Sequence, residues 1–233
     1  MIGNLMESRT GIFVTRTHGK STTSAMVSWI LSVARRDPAV LVGAELCDSG
    51  HSGRAGKGDV LVVESCEFNH SFLDFHPAHA AILNVEQDHF DCYSDLESLT
   101  QAFHEFASKV PAGGVLVVNS GCDAAMEAVR DVSARIVTFG DPVVADWSAQ
   151  AISDQPDGIR FEIHRRDRLW KKIGLRLHGH HNVQNALAAA ALCAEIGVDA
   201  ADIVAGLGSF GGVKRRFEVV GEWNEVTLID DYA

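Results

Sequence analysis

Lys20 and Ser21 are the residues whose types and spacing most directly indicate chemistry in this chain of 233 residues. They end the segment "RTHGKS", which follows the short apolar run 12–15 and opens a segment with helical spacing of apolar residues. In such a strand–turn–helix arrangement, backbone N–H groups face phosphate oxygens, the lysine reaches the terminal phosphates and the serine hydroxyl can bind Mg²⁺. Val14 stands where a complete P-loop pattern has its first glycine, so a surface turn before a helix remains an alternative.

Polar side chains also follow two other apolar runs. Glu64 and Glu67 follow the first run, and Asn84, Asp88, His89 and Asp91 follow the second. The carboxyl ends of strands in an α/β sheet are where ligands collect, so these side chains are expected beside the phosphate loop. Carboxylates and an imidazole in that place are candidate ligands, direct or through water, for a hard cation. For His89 alone, a hydrogen-bonded loop histidine is the alternative interpretation.

The apolar pattern predicts the elements that position these residues. Helices are predicted at 20–34 and 95–109, and strands at 39–43, 59–63, 79–85 and 115–118. The strands lack clean alternation, which is typical of a parallel sheet covered on both faces. The second helix is predicted to open with a capping box formed by Ser94 and Glu97. Alternating strands and helices predict an α/β fold, with a mostly parallel sheet flanked by helices and joined by crossover connections.

The pattern changes from about residue 145 onward. Three segments that alternate apolar and polar residues predict a small antiparallel sheet. A strongly helical segment, "NVQNALAAAALCAEIG", then ends at Gly197, and a second helix is expected at about 200–207. The last segment, "RFEVVGEWNEVTLIDDYA", predicts a pair of strands.

Composition excludes several classes of protein. A formal net charge of −11 argues against a nucleic-acid partner, because phosphate backbones require clustered Lys and Arg. No apolar stretch approaches the roughly 20 residues of a membrane span, and no secretory signal is expected. The five cysteines are scattered and form no CxxC pair, which predicts reduced thiols and a cytoplasmic protein.

Five segments resemble, in the same order, the central ATP-binding domain of the Mur ligases. They are "RTHGKSTT", "ILNVEQDHFDCY", "HHNVQNALAA", "GVKRRFE" and "TLIDDYA", and together they extend over nearly the whole chain. Within the family, the resemblance is greatest to the ligases that join L-alanine to UDP-N-acetylmuramate. It implies ATP and Mg²⁺ as cofactors, and UDP-N-acetylmuramate and L-alanine as substrates of the full-length enzyme of peptidoglycan biosynthesis.

The resemblance also implies roles for individual residues. Phosphate binding is implied for Thr17, His18, Gly19, Lys20, Ser21, Thr22 and Arg216, and contact with the adenine side for His181, Asn182 and Asn185. Asp231 is implied at the ribose, and Ser21, Glu64 and His89 at magnesium. Lys20, His89 and Arg216 are the implied catalytic residues. The implied reaction passes through an acyl phosphate, which an amine then converts into an amide without a covalent enzyme intermediate.

Two features depart from the family. Arg16 stands where the family has glycine, which is expected to weaken ATP binding, because a residue without Cβ lets the backbone approach phosphate. The second departure is length. Residues 1–219 are expected to form the central domain and 220–233 the start of a truncated C-terminal domain, with the N-terminal UDP-binding domain of the family expected to be missing. A chain of this extent is expected to bind ATP at most weakly and not to complete ligation alone.

Three alternatives remain open from the sequence. One is the related recycling ligase that attaches a whole tripeptide to the same sugar nucleotide. Another is a degenerate nucleotide-binding module in which Arg16 has abolished the use of ATP. The third, an unrelated P-loop NTPase or kinase, is disfavoured because Glu64 stands where a Walker B strand ends in aspartate.

Overall fold

The computed structural model describes residues 6, 8–16, 20–47, 50–87, 91–216, 218–224 and 226–231. Within these ranges the main sheet has ten strands. They are β1 (Thr10–Thr15), β2 (Ala39–Leu41), β3 (Gly53–Arg54), β4 (Val60–Ser65), β5 (His79–Ile82), β6 (Val115–Asn119), β7 (Arg135–Gly140), β8 (Trp147–Gln155), β9 (Gly158–Arg165) and β10 (Arg168–Leu175). The helices are α1 (Lys20–Val33), α2 (Leu96–Ser108), α3 (Asp123–Ala128), α4 (His180–Glu195) and α5 (Ala200–Ser209). A separate hairpin consists of β11 (Glu218–Trp223) and β12 (Val226–Asp230).

The strand order is β10-β9-β8-β7-β6-β5-β1-β4-β2-β3. β1 lies between β4 and β5 and is parallel to both. Its last residue, Thr15, is in register with Ser65 of β4 and Ile82 of β5. The segments that follow these three strands therefore leave the sheet at the same edge, which is where parallel α/β sheets bind ligands.

Both faces of the sheet are covered by helices. On β1, Ile12 and Val14 belong to a core that contains the apolar residues of α1, α4 and α5. Phe13 belongs to a second core, with the apolar residues of α2 and α3. None of these three β1 side chains is exposed, as the continuous apolar run predicts for a strand buried on both faces.

α1 and α5 approach each other closely at Gly206. A Cβ atom on this residue would lie 2.9 Å from the Cα atom of Ile30, so the contact requires glycine. This contact packs the C-terminal half of α1 against α5, and the first turn of the same helix carries Lys20 and Ser21.

The predicted α/β fold is confirmed, with one correction at α2. The N-cap is Asp95 rather than Ser94: its carboxylate accepts a hydrogen bond from the Ser98 backbone N–H at 2.7 Å, and the Ser98 hydroxyl accepts one from the Asp95 N–H at 3.3 Å. Asp95 has the extended backbone that an N-cap requires, which places Glu97 inside the first turn of the helix.

The three strands predicted after residue 145 form as an antiparallel group, β8–β10, that continues the main sheet. Phe139 of β7 pairs in parallel with Trp147 of β8, which joins the two parts. The hairpin β11–β12 is the separate small sheet. The sequence prediction missed β7 and the short helix α3. None of the helices in the described ranges is long and apolar enough to cross a membrane.

Candidate functional site

Lys20 opens α1 at the carboxyl end of β1. Its Nζ atom lies 2.7 Å from Oε2 of Glu67 and donates to the backbone oxygen of Arg16 at 2.5 Å. The Lys20 side chain is 10% exposed and that of Glu67 is fully buried. A buried carboxylate is tolerated when it is paired and hydrogen-bonded, so each side chain fixes the position of the other.

Tyr93 lies against the same buried pair. Its hydroxyl donates a hydrogen bond of 2.6 Å to the backbone oxygen of Glu67. Burial, followed by the Glu67 carboxylate, raises the pKa of Tyr93 to about 12, so this hydroxyl stays protonated and remains a donor. Glu67 is therefore held at its side chain by Lys20 and at its backbone by Tyr93.

Ser21 is the next residue of α1, and its hydroxyl donates to Oε1 of Glu64 at 2.9 Å. The other oxygen of Glu64 accepts from the backbone N–H of Gly43 at 2.5 Å. A Cβ on Gly43 would come within 3.0 Å of this oxygen. A hydroxyl and a carboxylate oxygen are thus held side by side, and both are ligands that Mg²⁺ prefers.

Ser21 and Glu64 suit Mg²⁺ better than they suit a metal ion that protein side chains coordinate completely. Among the described residues there is no group of three or more His, Cys, Asp or Glu side chains arranged for a metal ion. Magnesium commonly uses one or two carboxylates and completes its shell with water and substrate phosphates. Ser21 and Glu64 supply the protein part of such a shell.

Arg16 leaves the end of β1 and reaches toward α4. Its Nε donates to Oδ1 of Asn84 at 2.7 Å, and its Nη1 donates to Oδ1 of Asn185 at 3.1 Å. Burial lowers the pKa of the Arg16 guanidinium from its usual value, and the Glu86 carboxylate acts in the opposite direction. The guanidinium keeps its charge, since arginine is not deprotonated in proteins.

A chain of hydrogen bonds connects α1 with the start of α4. Thr23 donates from its hydroxyl to Oδ1 of Asn185 at 3.1 Å, and the Asn185 amide donates to Oδ1 of Asn182 at 3.3 Å. The Asn182 amide in turn donates to the backbone oxygen of His178 at 2.8 Å. Both asparagines are buried, so the network holds them in fixed orientations.

A cavity of about 290 Å³ lies beside Arg16. Leu83 and Phe139 give it an apolar wall. Its polar lining includes Arg16, Asn84, Glu86, Asn119, His181 and Asn185. This volume is close to about 300 Å³, the lower end of the range for small-molecule sites, and the combination of an apolar wall with a few polar groups is typical of them. We call it the edge cavity.

A larger cavity, of about 670 Å³, lies between α2 and α3. Its lining contains the carboxylates of Glu97, Asp123, Glu127 and Asp131 and none of the candidate site residues. Four carboxylates against one arginine, Arg130, disfavour a phosphorylated ligand, so the edge cavity is the better candidate despite its smaller size.

The structure brings most of the sequence-predicted residues to this edge. Lys20, Ser21 and Thr22 are buried in the first turn of α1, and Asn182 and Asn185 are buried in the first turns of α4. His181 is exposed and lines the edge cavity. Arg216 and Asp231 are exposed and do not line it. Thr17, His18, Gly19, Asp88 and His89 lie outside the described residues.

Sequence reasoning missed three contributions. Glu67 was grouped with Glu64 as a cation ligand, whereas it is the ion-pair partner of Lys20. Thr23 was not recognised as a partner of Asn185, and no sequence signal identifies this contact between α1 and α4. Asn119 is the last residue of β6 and lines the edge cavity, and its place after the apolar run 115–118 is a sequence signal that could have identified it.

Comparison with known protein families identifies the same part of the chain. The family model of the Mur ligase middle domain matches residues 14–193, which include the end of β1, the Lys20 turn, the edge cavity and most of α4. The chain belongs to the Mur ligase family. The matched region contains the two halves of the site described above, one around Lys20 and one around Arg16.

Mur ligases with similar sequences are found in several bacteria. The chain is 37% identical over 235 residues to a UDP-N-acetylmuramate–L-alanine ligase of Agathobacter rectalis, with all of this chain and 51% of the relative covered. It is 36% identical over 233 residues to the ligase of the same name from Salinibacter ruber, of which it covers 49%. The chain therefore spans about half the length of these relatives.

The fold is likewise similar to that of solved Mur ligases. The UDP-N-acetylmuramate–alanine ligase of Thermotoga maritima superposes with a TM-score of 0.87 at 28% identity, covering 100% of this chain and 52% of that one. The ligase of Neisseria meningitides named for UDP-N-acetylmuramate and L-alanyl-γ-D-glutamyl-meso-diaminopimelate gives a TM-score of 0.82 at 26% identity, covering 91% and 69%.

Proposed function

We propose that this chain is the ATP-binding domain of a UDP-N-acetylmuramate–L-alanine ligase, which forms an amide through an acyl phosphate in peptidoglycan biosynthesis. The observation that carries the proposal is the juxtaposition of Lys20, Ser21 and Glu64 at the start of α1 with a cavity at the same sheet edge. The similarity along the whole chain to ligases of this name supports the choice of substrates.

In this proposal the nucleotide lies along the edge from α1 to α4. The triphosphate binds at the N-terminus of α1 through Lys20, Ser21, Thr22 and the preceding residues 17–19, where the helix dipole favours negative charge. The base enters the edge cavity beside His181, Asn182 and Asn185. Arg216 and Asp231 remain proposed contacts for the phosphates and the ribose, respectively.

Ser21 and Glu64 would hold Mg²⁺, together with His89 in the proposed set. A magnesium ion there would supply electrostatic stabilisation of phosphate oxygens. Lys20 has a related role. Glu67 holds the Lys20 ammonium near the N-terminus of α1, where it would neutralise charge on the terminal phosphates.

The proposed reaction has two steps. A carboxylate oxygen of UDP-N-acetylmuramate attacks the γ-phosphorus of ATP, which breaks the bond to the β-phosphate oxygen and yields an acyl phosphate and ADP. The amine of L-alanine then attacks the acyl carbon and loses a proton, and inorganic phosphate leaves. The protein's part is to position the reactants and to stabilise the developing negative charge, so no nucleophilic side chain is required.

The proposed domain division places residues 1–219 in the central domain and 220–233 at the start of a further one. The hairpin β11–β12 supports a change near this point, since it forms its own sheet. Its side chains Val220, Trp223 and Leu228 are 56%, 69% and 47% exposed, which is unusual for large apolar residues. β11 begins at Glu218, so the proposed boundary falls inside this strand.

Two other functions have specific support. The Arg16 side chain in the edge cavity favours a degenerate module with little use of ATP. The similarity to the Neisseria meningitides ligase, at a TM-score of 0.82, favours the tripeptide-adding recycling enzyme. The Thermotoga maritima ligase is more similar in fold, at 0.87, which is why we prefer the alanine-adding function.

A chimaera tests the proposal. The chain replaces the corresponding half of the Thermotoga maritima ligase, and phosphate release from ATP is measured with UDP-N-acetylmuramate and either L-alanine or the tripeptide. Release that depends on L-alanine supports this chain as the ATP-binding domain of an alanine-adding ligase, and release that only the tripeptide elicits supports the recycling enzyme, because the remaining half of the chimaera comes from an alanine-adding ligase. A folded chimaera that binds Mg·ATP and releases no phosphate with either acceptor would contradict both.

A further inference from the structure

Arg16 occupies two of the hydrogen-bond acceptors that line the edge cavity, the side-chain oxygens of Asn84 and Asn185. Its guanidinium bridges the side-chain oxygens of Asn84 and Asn185, at 2.7 Å from Nε and 3.1 Å from Nη1. The two asparagines belong to different elements, one after β5 and one in α4. A planar fork of N–H donors can bridge two such oxygens, whereas the single ammonium of a lysine is a point donor.

The acceptor capacity of Asn185 is filled by these contacts. A carboxamide oxygen has two lone pairs, and Oδ1 of Asn185 accepts from both Arg16 and the Thr23 hydroxyl, each at 3.1 Å. The other atom of the carboxamide, Nδ2, donates to Asn182. A ligand with an amino group at this point therefore finds the oxygen already used.

Asn84 is engaged through both atoms of its carboxamide, although its oxygen accepts one hydrogen bond rather than two. Its oxygen accepts from Arg16, and its amide donates to Glu86. The backbone of Arg16 is not strained by this arrangement, because its φ angle is not positive. The consequence of arginine at this position therefore lies in what its side chain covers.

Purine bases differ in what they offer at position 6. Adenine carries an amino donor, for which an asparagine oxygen is a suitable acceptor, whereas guanine and hypoxanthine carry an oxygen acceptor, for which arginine is the suitable donor. Arg16 has five N–H groups and uses Nε and Nη1 in the two contacts above. Within the described part of the chain, Nη2 has no hydrogen-bond acceptor.

We propose that Arg16 determines the base specificity of the site: by covering Asn84 and Asn185 and presenting its own N–H groups, it removes the preference for adenine and admits 6-oxopurine nucleotides. This inference rests on the proposed function, since it assumes that the edge cavity receives the base. Affinity then depends mainly on the phosphates, and the chain binds nucleotides with an amino group or an oxygen at position 6 about equally.

The test compares ADP with inosine diphosphate, which carries an oxygen in place of the 6-amino group. Dissociation constants with Mg²⁺ are measured by calorimetry for the unmodified chain, Arg16→Gly and Arg16→Lys. The unmodified chain is expected to bind both nucleotides within about threefold, and both variants are expected to prefer ADP by at least about tenfold, the lower range of one base contact. Thermal unfolding confirms that each variant is folded, and Arg16→Lys supplies the comparison if Arg16→Gly is not.

Each other result overturns the inference. A tenfold preference for ADP in the unmodified chain would mean that Arg16 does not cover the base contacts. Equal binding of the two nucleotides by the variants would mean that another residue sets the specificity, and an unselective Arg16→Lys alone would assign the effect to charge rather than to the bridge. Absence of nucleotide binding in all three proteins would refute the proposed function itself.

Discussion

The two halves of the site edge each contain a cation, and they hold it differently. Lys20, on the phosphate half, is paired with the buried carboxylate of Glu67 at 2.7 Å. Arg16, on the base half, is held by the neutral oxygens of Asn84 and Asn185. The first cation therefore has its counter-charge in direct contact, whereas the second is bound through amide dipoles.

The difference indicates what each half can do. On the phosphate half, the charge pair fixes the ammonium at the place where a terminal phosphate can share it, so the half is prepared for binding. On the base half, the cation uses the groups that a base would contact. Both halves are ordered by hydrogen bonds, but the phosphate half keeps its ammonium beside the helix N-terminus, whereas the base half offers the N–H groups of Arg16 in place of the asparagine oxygens.

Replacing Lys20 has the largest expected effect. Lys20→Met leaves the Glu67 carboxylate buried without its counter-charge and should lower the free energy of unfolding by about 3–5 kcal/mol. The double variant with Glu67→Gln should recover most of that loss. Urea unfolding of both single variants and the double variant measures the coupling. A loss below about 1 kcal/mol in Lys20→Met would show that the pair is not buried as described.

Replacing Arg16 tests the other cation. Arg16→Met removes the donors to Asn84 and Asn185 and should lower the free energy of unfolding by about 1–3 kcal/mol, the usual range for hydrogen bonds to a charged group. The matched control is Arg176→Met, at an exposed arginine, with an expected change within about 0.5 kcal/mol. Equal effects of the two substitutions in urea unfolding would contradict the bridging role.

Replacing Ser21 tests the proposed magnesium ligands of the phosphate half. Ser21→Ala removes the hydroxyl beside Glu64 and should raise the Mg²⁺ concentration needed for nucleotide binding by at least about tenfold. Ser28→Ala is the control in the same helix, because the Ser28 hydroxyl donates to the Ser24 backbone oxygen and lies away from Glu64. Titration of Mg²⁺ at constant ATP measures both, and an unchanged requirement in Ser21→Ala would remove this residue from the proposed metal set.

His79 lies at the amino end of β5, away from the site, and its replacement has the smallest expected effect. Burial, followed by the charge of Arg135, lowers the pKa of His79 below 6.5, and its Nδ1 accepts from the Val115 N–H at 3.1 Å. The unfolded chain then binds the proton more readily than the folded chain. Stability from this group is therefore lost as pH falls through 6.5 toward the lower folded-state pKa.

Urea unfolding midpoints at pH values above and below 6.5 measure how steeply the stability of the chain depends on pH. His79→Gln should flatten this dependence, and His51→Gln, at an exposed histidine, should not. A slope that persists in His79→Gln would assign the acid sensitivity to other groups, including those at the site edge.

Sequence alone predicted the elements that depend on local patterns. The spacing of apolar residues predicted the helix at Lys20 and the buried strands around it. Glycine predicted the end of α4 near Gly197, and the structure shows this residue with a positive φ angle of 81°. The cap of α2 was displaced by one residue, because Ser94 and Asp95 are both good N-caps and the backbone geometry decides between them.

What the sequence did not predict depends on contacts between distant segments. Residues 20 and 67 are 47 positions apart, and residues 16 and 185 are 169 apart, so their pairing requires the strand order. The sequence marked Arg16 as a departure from glycine, and its partners became evident only from the sheet edge that joins β1, β5 and α4.

The most direct test of the central claim is calorimetric titration of Mg·ATP into the unmodified chain and into the folded double variant Lys20→Met, Glu67→Gln. We expect a single binding event in the unmodified chain and an affinity at least about tenfold lower in the double variant, because the ammonium that meets the terminal phosphates is missing. Equal affinities, or no binding by the unmodified chain, would contradict the assignment of this edge as a nucleotide site.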